Sequence, residues 1–271
     1  MGICRRVWWH LLGGLIGAAL PVGASSEDSV VLRVMSYNMH HGEGIDRRLD
    51  LHRVAAVIAA ANPDVVALQE VDCHVKRTEG VDQPAVLGEL TNMHVAFGAN
   101  IELQGGSYGN AVLSKYAVVR HVNHRLPRID QGEQRGVLEV EIAVPGLREP
   151  VLLFATHFDH RRDDAERLQS ATTINEWVTV TSRPALLVGD LNDTVTSSTL
   201  RVLLQQWTLP HAEPLPTVPV AAPTRQIDFI LYRPNKRWRA VRVQVLDEAV
   251  ASDHRALVAD LELLPAIDDD P

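Results

Sequence analysis

Cysteine is nearly missing from this 271-residue chain, which holds only Cys4 and Cys73. That scarcity excludes a small disulfide-stapled scaffold, and a chain of this length can bury a full core without staples. Basic charge is in short supply too, with 26 Lys and Arg against 34 Asp and Glu. An acidic body is a poor general binder of polyanions, because non-specific nucleic-acid affinity comes from Lys and Arg contacts to phosphate. Long apolar runs are missing apart from residues 11–20, and ten residues are too few to span a bilayer, which takes about 20. Several signatures are lacking as well. No H-E-x-x-H is present, which argues against a zinc peptidase. Neither a P-loop nor a dinucleotide fingerprint appears.

The amino terminus does not belong to the folded body. Arg5 and Arg6 precede the apolar run, Pro21 breaks it, and Val22-Gly23-Ala24 offers small residues at a cleavage point. This layout predicts an export signal over residues 1–24, and so a periplasmic or extracellular protein. Arg5-Arg6 near Trp8 faintly resembles a twin-arginine signal. Its removal leaves 24 basic against 34 acidic residues, a net charge of −10, and Cys73 as the sole thiol. Residues 25–265 read as one domain, followed by an acidic tail over 266–271.

Apolar runs at 30–36, 64–69, 110–114, 136–144, 151–157, 185–189, 227–232, 239–246 and 255–263 predict strands. Leu51, Val54, Ala55 and Ile58 share one helical face within 49–61, ended by Asn62-Pro63. A second helix capped by Asp163 or Asp164 turns Leu168, Ala171, Ile174 and Val178 to the core, and a third follows Thr196. Many strands and few helices predict an α/β fold of two packed mixed sheets with helices outside. Residues 208–226 carry five prolines and read as an irregular loop rather than a linker, because candidate site residues lie on both sides.

Polar residues end these buried runs again and again. Asn38, Glu70, His157, Asp190, Asn192, Asp228 and the pair Asp253-His254 each sit at or near such an end. On adjacent strands, those ends converge at one rim. One strand-terminal Asp or Asn is an ordinary turn residue, but Glu70 directly follows V-V-A-L-Q, where an unpaired carboxylate is costly. Recurrence favours one polar centre. Oxygen donors without a cysteine cluster suit a hard cation such as Mg²⁺, Mn²⁺ or Ca²⁺. Carboxylates, imidazoles and such a cation suit hydrolysis of a phosphate ester. Most other histidines, among them His40, His41 and His74, read as solvent-facing.

Six blocks in order carry a resemblance. They are S-Y-N-M-H (36–40), L-Q-E-V-D (68–72), Y-G-N-A-V-L-S (108–114), T-H-F-D-H (156–160), V-G-D-L-N-D (188–193), and I-D-F-I-L-Y with S-D-H-R (227–232, 252–255). Together they resemble the endonuclease/exonuclease/phosphatase superfamily. The resemblance implies a four-layer α/β sandwich and metal-dependent phosphoester hydrolysis. It assigns Glu70, Asn38 and Asp253 to the metal. Asp190 would position or deprotonate the attacking water, with Asn192 beside it. His254, backed by Asp228, would contact the scissile phosphate, and His157 would assist the leaving group or bind phosphate. Arg135 and Asn110 are further candidates for phosphate binding, although Gln134 stands where the family block has Pro. The expected activity is that of a secreted, monomeric phosphodiesterase on a small or lipid-linked phosphoester substrate. A secreted nuclease is the alternative, disfavoured by charge, and a non-catalytic binding module on the same fold is a third reading. Residues 72–86, 100–108 and 208–226 are the expected specificity loops.

Overall fold

The computed structural model describes residues 29–266. The expected export signal (1–24) and all but the first residue of the acidic tail lie outside the described residues. Eleven strands and four helices are present among those described. In chain order they are β1 (Val30–Asn38), α1 (Leu51–Ala61), β2 (Val65–Cys73), α2 (Gln83–Thr91), β3 (His94–Leu103), β4 (Gly106–Ser114), β5 (Val118–Arg125) and β6 (Gly136–Ile142). Then follow β7 (Val151–His157), α3 (Ala165–Val178), β8 (Ala185–Asp190), α4 (Ser198–Leu203), β9 (Asp228–Arg233), β10 (Trp238–Val245) and β11 (Leu257–Leu263).

One sheet has the order β10-β11-β1-β2-β4-β3 and the other β5-β6-β7-β8-β9. Both are mixed: β1 runs parallel to β2 and β7 parallel to β8, while the remaining pairs are antiparallel. Alternation along β1 explains how one strand serves two cores. Leu32 and Val34 point between the sheets, while Met35 and Tyr37 point toward α1 and α2. Three apolar clusters result. One lies between the sheets, one joins the first sheet to Val54, Ile58 and Leu87, and one joins the second sheet to Ala171, Ile174, Leu200 and Leu203. Three cores between four layers make the expected four-layer sandwich.

The helices obey local rules. Asp50 caps α1 by accepting from Arg53 N at 3.0 Å, and Asn62 closes it in the left-handed conformation. At the start of α3, Asp163 Oδ1 accepts from Ala165 N at 2.9 Å. Ala171, Ile174 and Val178 are buried as expected, and Leu168 is half-buried. β3, β5 and α2 are additions to the sequence reading. β3 and β5 are edge strands, where burial on one face only leaves a weak apolar signal. α2 contains Pro84 and Gly88, which obscure its helical pattern.

Candidate active site

Strand register gathers the site. His157 is paired with Asp190 across the parallel β7–β8 ladder, and Asp190 with Asp228 across β8–β9. Asn38 ends β1 in the facing sheet, and Glu70 sits in a bulge of β2 between Leu68 and Val71. The bulge holds Glu70 at φ +59°, a left-handed conformation uncommon for a side chain of this size. It thereby breaks the in–out alternation and re-aims the carboxylate toward the end of β1.

Contacts across the seam are direct. Asn38 Nδ2 donates to Glu70 Oε1 at 3.0 Å and to Asp190 Oδ2 at 3.1 Å. The same Asp190 oxygen lies 3.5 Å from His157 Nε2 and 3.8 Å from His254 Nε2. Asp190 Oδ1 accepts from the Asn192 backbone N–H at 2.8 Å, while the Asn192 side chain donates to the Phe158 carbonyl at 3.0 Å. On the other side of the imidazole, His254 Nδ1 donates to Asp228 Oδ2 at 2.9 Å, and that oxygen also accepts from Thr217 Oγ1 at 2.5 Å.

Burial makes these contacts electrostatically strong. Burial, reinforced by the Asp228 charge, pushes the Asp190 carboxyl up to about 7. Burial disfavours charge on His254, but Asp228, its hydrogen bond and Asp190 outweigh that and raise the imidazolium to about 10. His157 goes the other way: burial first, then the charges of Arg135 and His254, hold it well below the ordinary imidazole range. At neutral pH the cluster therefore pairs a neutral imidazole, a protonated one and a carboxyl poised between its two forms.

The remaining candidates stand at the margins. Arg135 is buried beside this cluster, donating from Nη2 to His160 Nδ1 at 3.2 Å and pairing from Nη1 with Glu133 at 2.8 Å. Asn110 Nδ2 donates to the Gly136 carbonyl at 3.1 Å, and its Oδ1 is buried without a partner. Asp253 stands at the exposed edge of the buried cluster. It is exposed, accepts from Ser252 Oγ at 3.4 Å, and acts on His254 as a neighbouring negative charge.

Four residues had no role in the sequence reading. Thr217 anchors Asp228, and Ser252 Oγ ties the His254 loop to β1 by donating to the Asn38 carbonyl at 2.7 Å. A hydroxyl in a proline-rich loop has no pattern to read, and Ser252 heads the S-D-H-R block without its hydroxyl having been assigned a task. His40 and His41, read as solvent-facing, are half-buried beside Glu70, with one ring nitrogen of each and a Glu70 oxygen mutually within 4.8 Å. Their place two and three residues after Asn38 is the available signal.

This geometry defines a polar, carboxylate-and-imidazole centre at the rim of a four-layer sandwich. A sequence profile of the Endonuclease/Exonuclease/phosphatase family matches residues 35–254, and the chain belongs to that family of phosphoester hydrolases. It is 27% identical over 246 residues to the Escherichia coli (strain K12) protein YbhP, covering 85% of this chain and 96% of that one. Among solved structures, an endonuclease/exonuclease/phosphatase from Beutenbergia cavernae superposes with a TM-score of 0.73 at 29% identity, over 86% of this chain and 72% of that one. The mannosyl-6-phosphatase Bt3783 of Bacteroides thetaiotaomicron shares the fold with a TM-score of 0.70 at 19% identity, over 85% and 99%.

Proposed function

We propose that the protein is an exported, monomeric, divalent-metal-dependent phosphodiesterase acting on a small or lipid-linked phosphoester. The observation that carries this reading is the convergence of Asn38, His157 and His254 on one oxygen of Asp190. The donor set fits a hard cation: Glu70 gives one oxygen to Asn38 and keeps the other free for a metal, and no thiol is among these residues. Glu70, Asn38 Oδ1 and Asp253 are the ligands in this reading, with Mg²⁺ as the ion and Mn²⁺ or Ca²⁺ as substitutes. When bound, the cation neutralises non-bridging phosphate oxygens and makes water easier to deprotonate.

The protein groups divide the rest of the work. Asp190, held by two amides and balanced near 7, accepts a proton from the attacking water. His254 is already protonated at neutral pH, so it serves as a cationic donor to a phosphate oxygen rather than as a base. Asp228 fixes its tautomer and charge. His157, neutral and buried, orients Asp190 through Nε2, and Asn192 locks the other carboxylate oxygen. Arg135 and Asn110 line the phosphate side.

A nuclease is the second reading, weakened by the acidic charge balance. Full-length protein with Mg²⁺ should hydrolyse an activated phosphodiester and stop on chelation. Asp190→Asn should lower kcat by about 10²–10⁴, and Glu70→Gln should weaken metal binding in calorimetry. An Asp190→Asn variant at full rate removes the mechanism. Plasmid DNA or RNA cut faster than sphingomyelin, inositol phosphates, nucleotides or sugar phosphates would move the substrate assignment to nucleic acid.

A further inference from the structure

A second cluster of metal-binding side chains lies farther along β2, beyond the bulge. Cys73, His74 and Asp82 place a sulfur, a ring nitrogen and a carboxylate oxygen mutually within 4.8 Å. From these we propose a separate binding site for a thiolate-preferring divalent cation, zinc first, independent of the proposed catalytic metal.

The backbone sets the three residues together. Cys73 and Asp82 face each other across an isolated antiparallel bridge, and His74 N donates to the Val81 carbonyl at 2.9 Å. The side chains divide their atoms in a way that leaves one donor on each for a metal. His74 Nδ1 donates to the Gly80 carbonyl at 3.0 Å, which fixes the tautomer and leaves the Nε2 lone pair free. Asp82 Oδ1 is occupied as the cap of α2, accepting from Ala85 N at 3.1 Å, while Oδ2 turns to His74 Nε2 at 3.7 Å. Ligand bonds of zinc to nitrogen, oxygen and sulfur at the tetrahedral angle put donors roughly 3.4–3.6 Å apart. His74 Nε2 and Asp82 Oδ2 need only a slight closing from 3.7 Å, and the Cys73 sulfur lies within 4.8 Å of both.

The chemistry of the donors separates this site from the first. Thiolate and imidazole favour zinc or copper over magnesium, whereas Glu70 and Asn38 favour a hard cation. One thiolate and one carboxylate neutralise a divalent ion. Without metal the thiol stays protonated, because burial and then Asp82 raise it, so loading releases a proton. The fourth position has room. Cys73 and His74 stand on the wall of a cleft of about 590 Å³, shared with Glu102 and Ser107 and open to a water or another ligand. A metal here also clamps the 73–82 turn, which carries Arg77. That guanidinium holds Asp72 through two 2.8 Å bonds and lies 5.4 Å from the Tyr108 ring centre. The site therefore ties down one of the expected specificity loops.

Full-length protein, reduced and stripped of metal, should develop a near-ultraviolet thiolate-to-cobalt absorption band on titration with Co²⁺, saturating at a single equivalent. Zn²⁺ should bleach the band and millimolar Mg²⁺ should leave it. Cys73→Ser should abolish it, and His74→Ala, at an exposed position, should weaken Co²⁺ binding at least about tenfold. Glu70→Gln should retain the band, which makes the result independent of the catalytic proposal. A wild-type protein without the band, or a band that survives Cys73→Ser, overturns the site.

Discussion

Replacing Asp228 by Asn isolates the charge that supports His254. The change is nearly isosteric, and an amide oxygen can still accept from both Thr217 Oγ1 and His254 Nδ1, so the geometry should hold. What disappears is a buried negative charge 2.9 Å from the ring. An opposite charge at such range moves an ionisation by about one to three pH units, or about 1.4–4 kcal/mol. From a starting value of about 10, His254 should then titrate between about 7 and 9. At pH 9 roughly nine-tenths of the imidazole is protonated in the parent and about half or less in the variant. Two assays read this. The His254 ring resonance in the metal-free protein gives the titration directly, and the alkaline limb of the pH–rate profile gives its functional effect. An unchanged titration near 10 together with an unmoved alkaline limb would refute the claim that Asp228 keeps His254 charged.

The same pair predicts how stability varies with pH. His254 is raised in the folded state, to about 10, so its stabilising contribution is complete below its unfolded value near 6.5 and is lost as pH rises through about 10. Calorimetric melting of metal-free protein should show Tm falling across that range, with a flatter slope in His254→Gln. Gly189→Ala should impair both stability and activity, since a Cβ there would lie 1.9 Å from the Thr156 carbonyl oxygen. Overpacking of this kind costs about 1–3 kcal/mol, and the displaced backbone is the residue before Asp190; unaltered kcat and Tm would contradict it. Leu138→Ala, fully buried between the sheets, should cost about 2–5 kcal/mol in denaturant unfolding without changing metal affinity.

Much of this site is legible in the sequence because its residues share one physical circumstance. Asn38, His157 and Asp190 sit at the ends of buried strands; parallel pairing aligns the ends of β7 and β8, and packing of the two sheets brings the end of β1 to them. The fold class follows from the same runs. What escaped lies where that logic fails. β3 and β5 are exposed on one side, so their alternation is diluted by Asn, His and Arg. Glu70 was legible as a residue, but its direction was not, since a bulge leaves no periodic trace. Thr217 comes from an irregular loop and reaches Asp228 only through tertiary packing. His40 and His41 take positive φ values of 45° and 44°, a local departure that residue type alone does not signal.

The order β10-β11-β1 means that the final strand of the domain is hydrogen-bonded on both sides, one neighbour being the first strand. A polypeptide still leaving a ribosome does not yet have that strand or the Asp253-His254 loop before it. The halves of the candidate site cannot meet until almost the whole domain is free. Phosphoester-cleaving capacity is thus withheld from the nascent chain by topology alone, with no separate inhibitor required.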